Sequence, residues 1–145
     1  MRVLDPVAWQ AAPGLLRELA LAAAAPYGVE VDVTYQRGVP PVVNDPFATE
    51  LLSQGIKTAL GLDAVVPTEQ SLGGEDFGWY LEKVPGSLGR LGVRSPDSPM
   101  GMDLHRGTFD VDERSIAVGV RVLVATAVTA LEAGWPVEGA PESRQ

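Results

Sequence analysis

Residues Arg37–Asn44 read RGVPPVVN, and this stretch decides how the chain is divided. Pro40 and Pro41 have no amide hydrogen to give to a sheet and do not fit inside a helix, so the segment reads as a crossing between two structural units. Upstream of it, Val29, Val31, Val33 and Tyr35 alternate with Glu30, Asp32, Thr34 and Gln36. That period belongs to a strand with one dry face and one wet face. Downstream, Asp45-Pro46 supplies a helix start, and Phe47, Leu51, Leu52, Ile56 and Leu60 place an apolar stripe at helical spacing that Gly61 closes.

The same reading extends to both ends. Arg2 to Leu4 look like the tail of a strand, and Asp5-Pro6 starts a helix that should end before Pro26-Tyr27-Gly28. Pro13-Gly14 interrupts it and predicts a kink or two short helices. Beyond α-helical 46–60, Leu62 to Val66 reads as a short strand, Gly73-Gly74 opens a helix from Glu75 to about Lys83, and Gly86 to Val93 reads as a strand interrupted by glycine. A polar loop, Ser95 to Asp103, precedes the last long helix, which begins after Asp112. From Pro136 the chain is polar and reads as a disordered tail. The order implies a small α+β piece joined to an α/β piece. One helix and two strands hold too little core for an independent domain.

Composition narrows the chemistry. The chain has 145 residues, 46% of them hydrophobic, a net charge of −8, no cysteine and one histidine. Disulfide frameworks, Cys-rich zinc modules and thiol nucleophiles are excluded, and the acidic balance repels nucleic-acid phosphates and anionic lipid. Leu15 to Pro26 is short and carries Arg17 and Glu18, so it reads as part of a soluble helix rather than a signal peptide. Ile116 to Leu131 carries Arg121 near its middle and falls short of the roughly 20 residues a bilayer needs, so it reads as a buried helix. The expected address is the cytoplasm.

Two clusters carry possible chemistry. His105 precedes Arg106-Gly107, with Asp110, Asp112 and Glu113 close behind. An imidazole among carboxylates serves as a metal ligand, a proton shuttle or an ordinary loop residue, and spacing alone leaves all three open. A zinc site takes about three or four protein ligands, more than a single histidine without cysteine supplies. In Gly73-Gly74-Glu75-Asp76-Phe77, paired glycines permit close approach of a ligand to a helix start. The following carboxylates serve equally well as ordinary helix-start residues. Phe77, Trp79 and Tyr80 read as packing residues. No G-x-S-x-G elbow occurs, and no carboxylate pair is singled out.

Taken together, GVPPVVND (38–45), GGEDF (73–77), Leu104-His105, FDVDE (109–113) and a closing apolar helix resemble the C-terminal part of the M20 metallopeptidase family. The likeness is to its amidohydrolase branch of hippurate hydrolases, N-acyl-amino-acid deacylases and auxin-conjugate hydrolases, and runs from Arg2 to about Leu131. It implies an α/β fold class. Residues 39–135 would be the C-terminal part of a zinc-peptidase-like catalytic domain, preceded in 1–38 by the end of an inserted α+β (ferredoxin-like) dimerisation domain and followed in 136–145 by the tail.

The resemblance also implies an activity: hydrolysis of the amide bond of N-acyl amino acids or small peptides, using paired divalent metal ions, zinc or manganese, and a glutamate base. On that likeness His105 is a metal ligand, and Gly74, Glu75, Asp76 and Asn44 line the substrate pocket or support the ligands. No residue is given a catalytic step. The family's other metal motifs and its Glu-Glu base have no counterpart here. The expectation is a C-terminal fragment that holds metal weakly, is inactive without the N-terminal half, and associates with that half or with itself. The alternative is a non-catalytic interaction remnant. A small acylated amino acid or peptide is the expected substrate, with neither nucleic acid nor membrane as partner.

Overall fold

A computed structural model of the chain describes residues 2–97 and 104–136. They contain the helices α1 (Pro6–Ala24), α2 (Pro46–Leu60), α3 (Phe77–Leu81) and α4 (Arg114–Ala133), with 3-10 turns at Ala25–Tyr27 and Leu62–Ala64. By contact the chain forms two units, Met1–Asp45 with Glu69–Leu88 and Pro46–Thr68 with Gly89–Gln145. Most of the Ser95–Asp103 loop and the tail from residue 137 lie outside the described residues.

In the first unit, the Asp5 carboxylate accepts from the Ala8 amide at 2.7 Å and Pro6 takes the first helical position. Both features follow the sequence reading. The expected break at Pro13 does not occur, because α1 runs unbroken through it. Pro13 forfeits one backbone bond, and the burial of Trp9 and Ala12 in the preceding turn holds the helix across that loss. Trp9 meets Trp79 edge to face with centroids 6.0 Å apart, and the Arg37 guanidinium lies 4.6 Å over the Trp9 ring. Arg37 also donates to the Gln10 side chain at 2.9 Å. Pro40 is fully buried against α3, where a Cβ on Gly78 would come within 2.5 Å of its carbonyl oxygen. The proline crossing is therefore an interior element of this unit.

In the second unit α2 and α4 run antiparallel. Phe47 at the start of α2 meets Trp135 just past α4 edge to face at 5.0 Å, and Arg121 donates to the carbonyl of Ala59 at the far end of α2. Carbonyls in a helix's last turn lack intrahelical donors, so a cation there is doubly favourable. Between these ends Gly55 lies directly on Thr126, where a Cβ would be 2.3 Å from Oγ1 and 2.6 Å from Cα. The two backbones touch because position 55 has no side chain. Thr126 Oγ1 is buried there without a hydrogen-bond partner.

The expected strands need correcting. No strand occurs among the described residues, which are helical and extended. Over Glu30–Gln36 the alternation survives as exposure, with Val31, Val33 and Tyr35 half-buried between exposed Glu30, Asp32, Thr34 and Gln36, whereas Val29 is exposed. A strand needs a neighbour's N–H and C=O groups, and no segment described here supplies them. Arg2 to Leu4 and Gly86 to Val93 likewise form no ladder. Leu62 begins a 3-10 turn because Gly61, at φ 101°, turns the chain and its carbonyl accepts from Ala64 at 3.2 Å. α3 is shorter than expected at both ends, and the amides of Lys83 and Val84 close it on the Tyr80 carbonyl. α4 begins after Asp112 as expected, but it is not the buried helix that the sequence implies, since Ile116, Val120, Leu123, Val124, Val128 and Leu131 are exposed; at 20 residues it is, among the described residues, the one helix long and apolar enough to cross a membrane.

Substituting Gly55→Ala forces the α2 and α4 backbones apart. A loss of about 1–3 kcal/mol is expected in urea unfolding, with the helical signal reporting the transition.

Candidate functional site

His105 sits in a turn after Leu104 with φ 71°, the only non-glycine residue with positive φ among those described. A left-handed backbone costs an L-residue roughly 1–2 kcal/mol, so the surrounding turn must hold it. The Arg106 carbonyl accepts from Phe109 at 3.0 Å, and the Asp112 amide donates to the Val93 carbonyl at 2.7 Å. The FDVDE carboxylates then serve the entry into α4. Asp110 accepts from the Val111 amide at 2.8 Å, and Asp112 accepts from the Arg114 amide at 3.0 Å and its Nε at 2.9 Å. These bonds, the guanidinium's first and the amide's next, lower the Asp112 pKa from 3.8 to about 2.

The GGEDF turn is pinned from outside. Gly73 donates its amide to Ser71 Oγ at 2.9 Å, and Arg2 reaches the Leu72 carbonyl at 3.0 Å. Gly74 lies against Val39 closely enough that a Cβ would be 3.1 Å from Cγ2. The carbonyls of Glu75 and Asp76 accept from Gly78 and Trp79, each at 3.0 Å, and open α3. The Asp76 side chain makes no cap hydrogen bond, and both carboxylates are exposed.

Asn44 is engaged with backbone. Its Nδ2 donates to the Leu88 carbonyl at 3.1 Å and its Oδ1 accepts from the Leu88 amide at 2.9 Å. Next to it, the Asp45 amide donates to the Gly86 carbonyl at 2.9 Å. The side chain thus imitates a peptide group and joins the end of the crossing to residues 86–88.

Asn44, Gly74, Glu75 and Asp76 belong to the first unit and His105 to the second. Among the described residues no group of three or more His, Asp or Glu side chains is arranged to share a metal ion. One imidazole does not make a two-metal donor set, so these residues alone do not fit such a centre. Two features escaped the sequence reading. Arg121 finds its role only across the helix pair, and Trp79, Tyr80, Lys83 and Val84 line an open hollow of about 390 Å³. The adjacent aromatic residues were the available signal for the latter. Trp79 does pack on Trp9, and Tyr80, although 66% exposed, stacks on Phe77 with ring centroids 6.2 Å apart.

The family model for peptidase family M20/M25/M40 matches residues 4–129. A Rhodococcus jostii protein named glutamate-cysteine ligase 2-3 is 45% identical over 117 residues, 81% of this chain and 15% of that protein. A probable hydrolase of Synechocystis is 38% identical over 125 residues, 85% of this chain and 32% of that protein. The N-acetylcysteine deacetylase of Bacillus subtilis is 32% identical over 132 residues, 91% of this chain and 33% of that protein. The chain thus spans about a third or less of the length of these curated relatives. The ligase name describes a protein that lies mostly outside the matched part. No solved structure matches the chain.

Two substitutions test the local geometry. Asn44→Ala removes both bonds to Leu88 and should lower stability by roughly 1 kcal/mol in urea unfolding. For Asp112, the lowered pKa means that its stabilisation is complete above pH 3.8 and is lost as pH falls through about 2. The gap in urea midpoint between the wild type and Asp112→Asn should therefore be wide at about pH 5 and nearly closed at about pH 2.

Proposed function

Since the chain belongs to peptidase family M20/M25/M40, we propose that it carries the C-terminal portion of a metal-dependent amidohydrolase of N-acyl amino acids or small peptides. The observation that carries this reading is the continuous family match over 4–129, which includes the crossing, the GGEDF turn and His105. The names of two relatives, a hydrolase and an N-acetylcysteine deacetylase, support the reaction class.

In this reading His105 contributes one nitrogen donor to a divalent metal, zinc or manganese. Its exposed position in a constrained turn suits a donor offered to a partner surface. Gly74 keeps the GGEDF turn close to Val39 and leaves the Glu75 and Asp76 carboxylates facing outward toward a substrate amide or toward groups that hold the metal. Asn44 acts as a positioning residue through residues 86–88. The remaining donors and the base come from sequence outside these 145 residues, so the chain by itself hydrolyses no amide. The α/β layering also forms only with that sequence, whose backbone gives Val29–Gln36 a ladder partner.

The test is a chimera in which residues 4–129 replace the matching third of the B. subtilis N-acetylcysteine deacetylase. Deacetylation of N-acetylcysteine should appear in the chimera, vanish on chelation and return with zinc or manganese, while the 145-residue chain shows none. His105→Ala should lower the chimera's kcat/KM by about 100-fold or more. Full activity in that variant would sink the ligand assignment.

A further inference from the structure

Between the left-handed turn at His105 and the start of α4, the bonds nearest the histidine are local. Phe109 donates to the Arg106 carbonyl at 3.0 Å, and the Asp110 carboxylate accepts from the amide of its own neighbour Val111 at 2.8 Å. Such bonds shape a turn without placing it. Asp112 is where the turn meets a segment distant in sequence, because its amide donates to the Val93 carbonyl at 2.7 Å and its carboxylate accepts from the Ser95 hydroxyl. The same carboxylate faces α4, accepting from the Arg114 amide at 3.0 Å and from the guanidinium at 2.5–3.0 Å.

The segment that Asp112 grips is itself fixed. Leu91 lies on Gly119, where a Cβ would come within 3.3 Å of its Cδ2, so this segment follows the first turns of α4 and is held at Leu91 and again at Asp112. Asp112 therefore joins three things: the His105 turn, residues 93–95 and the start of α4. A helix cap needs only the last of these. A residue with positive φ keeps that conformation only while its surroundings hold it, so loosening the base of the turn releases His105 itself.

We propose that Asp112 is a positioning residue for His105: by tying the turn to residues 93–95 while it caps α4, it fixes where the imidazole is presented. That His105 takes part in amide hydrolysis rests on the proposed function, whereas the tether does not.

The chain has one histidine, so residue-selective labelling reads His105 alone. In the 145-residue chain, the order parameter of the His105 amide should fall from about 0.85 to below about 0.6 in Asp112→Ala. The conservative variant Asp112→Asn keeps a side-chain oxygen as acceptor and should hold a value above that of Asp112→Ala. Two further variants separate tether from cap. Ser95→Ala leaves every Arg114 bond in place and should still lower the order parameter of His105, while the amides of the first turn of α4 stay unchanged. Arg114→Ala removes the guanidinium but neither link to residues 93–95, and should leave His105 ordered. As a control, Asp5→Ala removes a helix-start acceptor in the first unit and should not move His105. An unchanged His105 in Asp112→Ala overturns the proposal, and so does an equal loss of order in Asp5→Ala. Loss of order in Arg114→Ala without loss in Ser95→Ala overturns it in favour of a helix cap alone. In the chimera, Asp112→Ala and Ser95→Ala should each lower kcat by about tenfold or more with KM changed less than about twofold. An active chimera whose kcat survives both substitutions overturns the proposal and keeps the proposed function. An inactive chimera beside an isolated chain that loses His105 order in Asp112→Ala and Ser95→Ala does the reverse.

Discussion

Contact between the backbones of α2 and α4 at Gly55 and Thr126 is the constraint on which the second unit depends. It sets the antiparallel register that brings Arg121 to the end of α2 and Trp135 to its beginning. It also decides which face of α4 is used. Small residues allow the closest approach, so the helix turns the side that carries Thr126 toward α2 and leaves Ile116, Val120, Leu123, Val124, Val128 and Leu131 outward. Close packing gains dispersion contacts here, and the buried Thr126 hydroxyl goes without a partner as part of that choice.

The first unit is organised around a different contact with the same logic. Pro40 is buried on Gly78, and the aromatic pair Trp9 and Trp79 closes beside Arg37. Only Trp9, Ala12 and Leu51 are buried hydrophobic residues in the described chain, so both units are held by a few specific contacts rather than by a deep core. Caps and turns matter correspondingly more. Asp5, Asn44 and Asp112 each satisfy backbone groups that a larger core would cover in other ways.

The candidate site was legible in part. His105 and the GGEDF turn stand out as residue types, and the family match includes them. The left-handed backbone of His105 was not legible, because nothing in Leu104-His105-Arg106 requires φ > 0. The bonding of Asn44 to Leu88 joins residues 44 positions apart, a distance over which local patterning carries no information. Two of the acidic residues after His105, Asp110 and Asp112, are held by hydrogen bonds at the entry to α4.

Sequence alone determined the helix starts at Asp5-Pro6 and after Asp112, the stop at Gly61 and the alternating exposure of Glu30–Gln36, because caps, glycine and side-chain period act over a few residues. Tertiary structure decided the rest: that α1 continues through Pro13, that α4 packs by its less apolar face, and that an alternating segment stays extended without becoming a strand. Each of these outcomes depends on what lies opposite. A proline break is tolerated where packing on either side exceeds one lost hydrogen bond, a helix face is chosen by the shape of its neighbour, and a strand exists only where a second backbone completes its ladder.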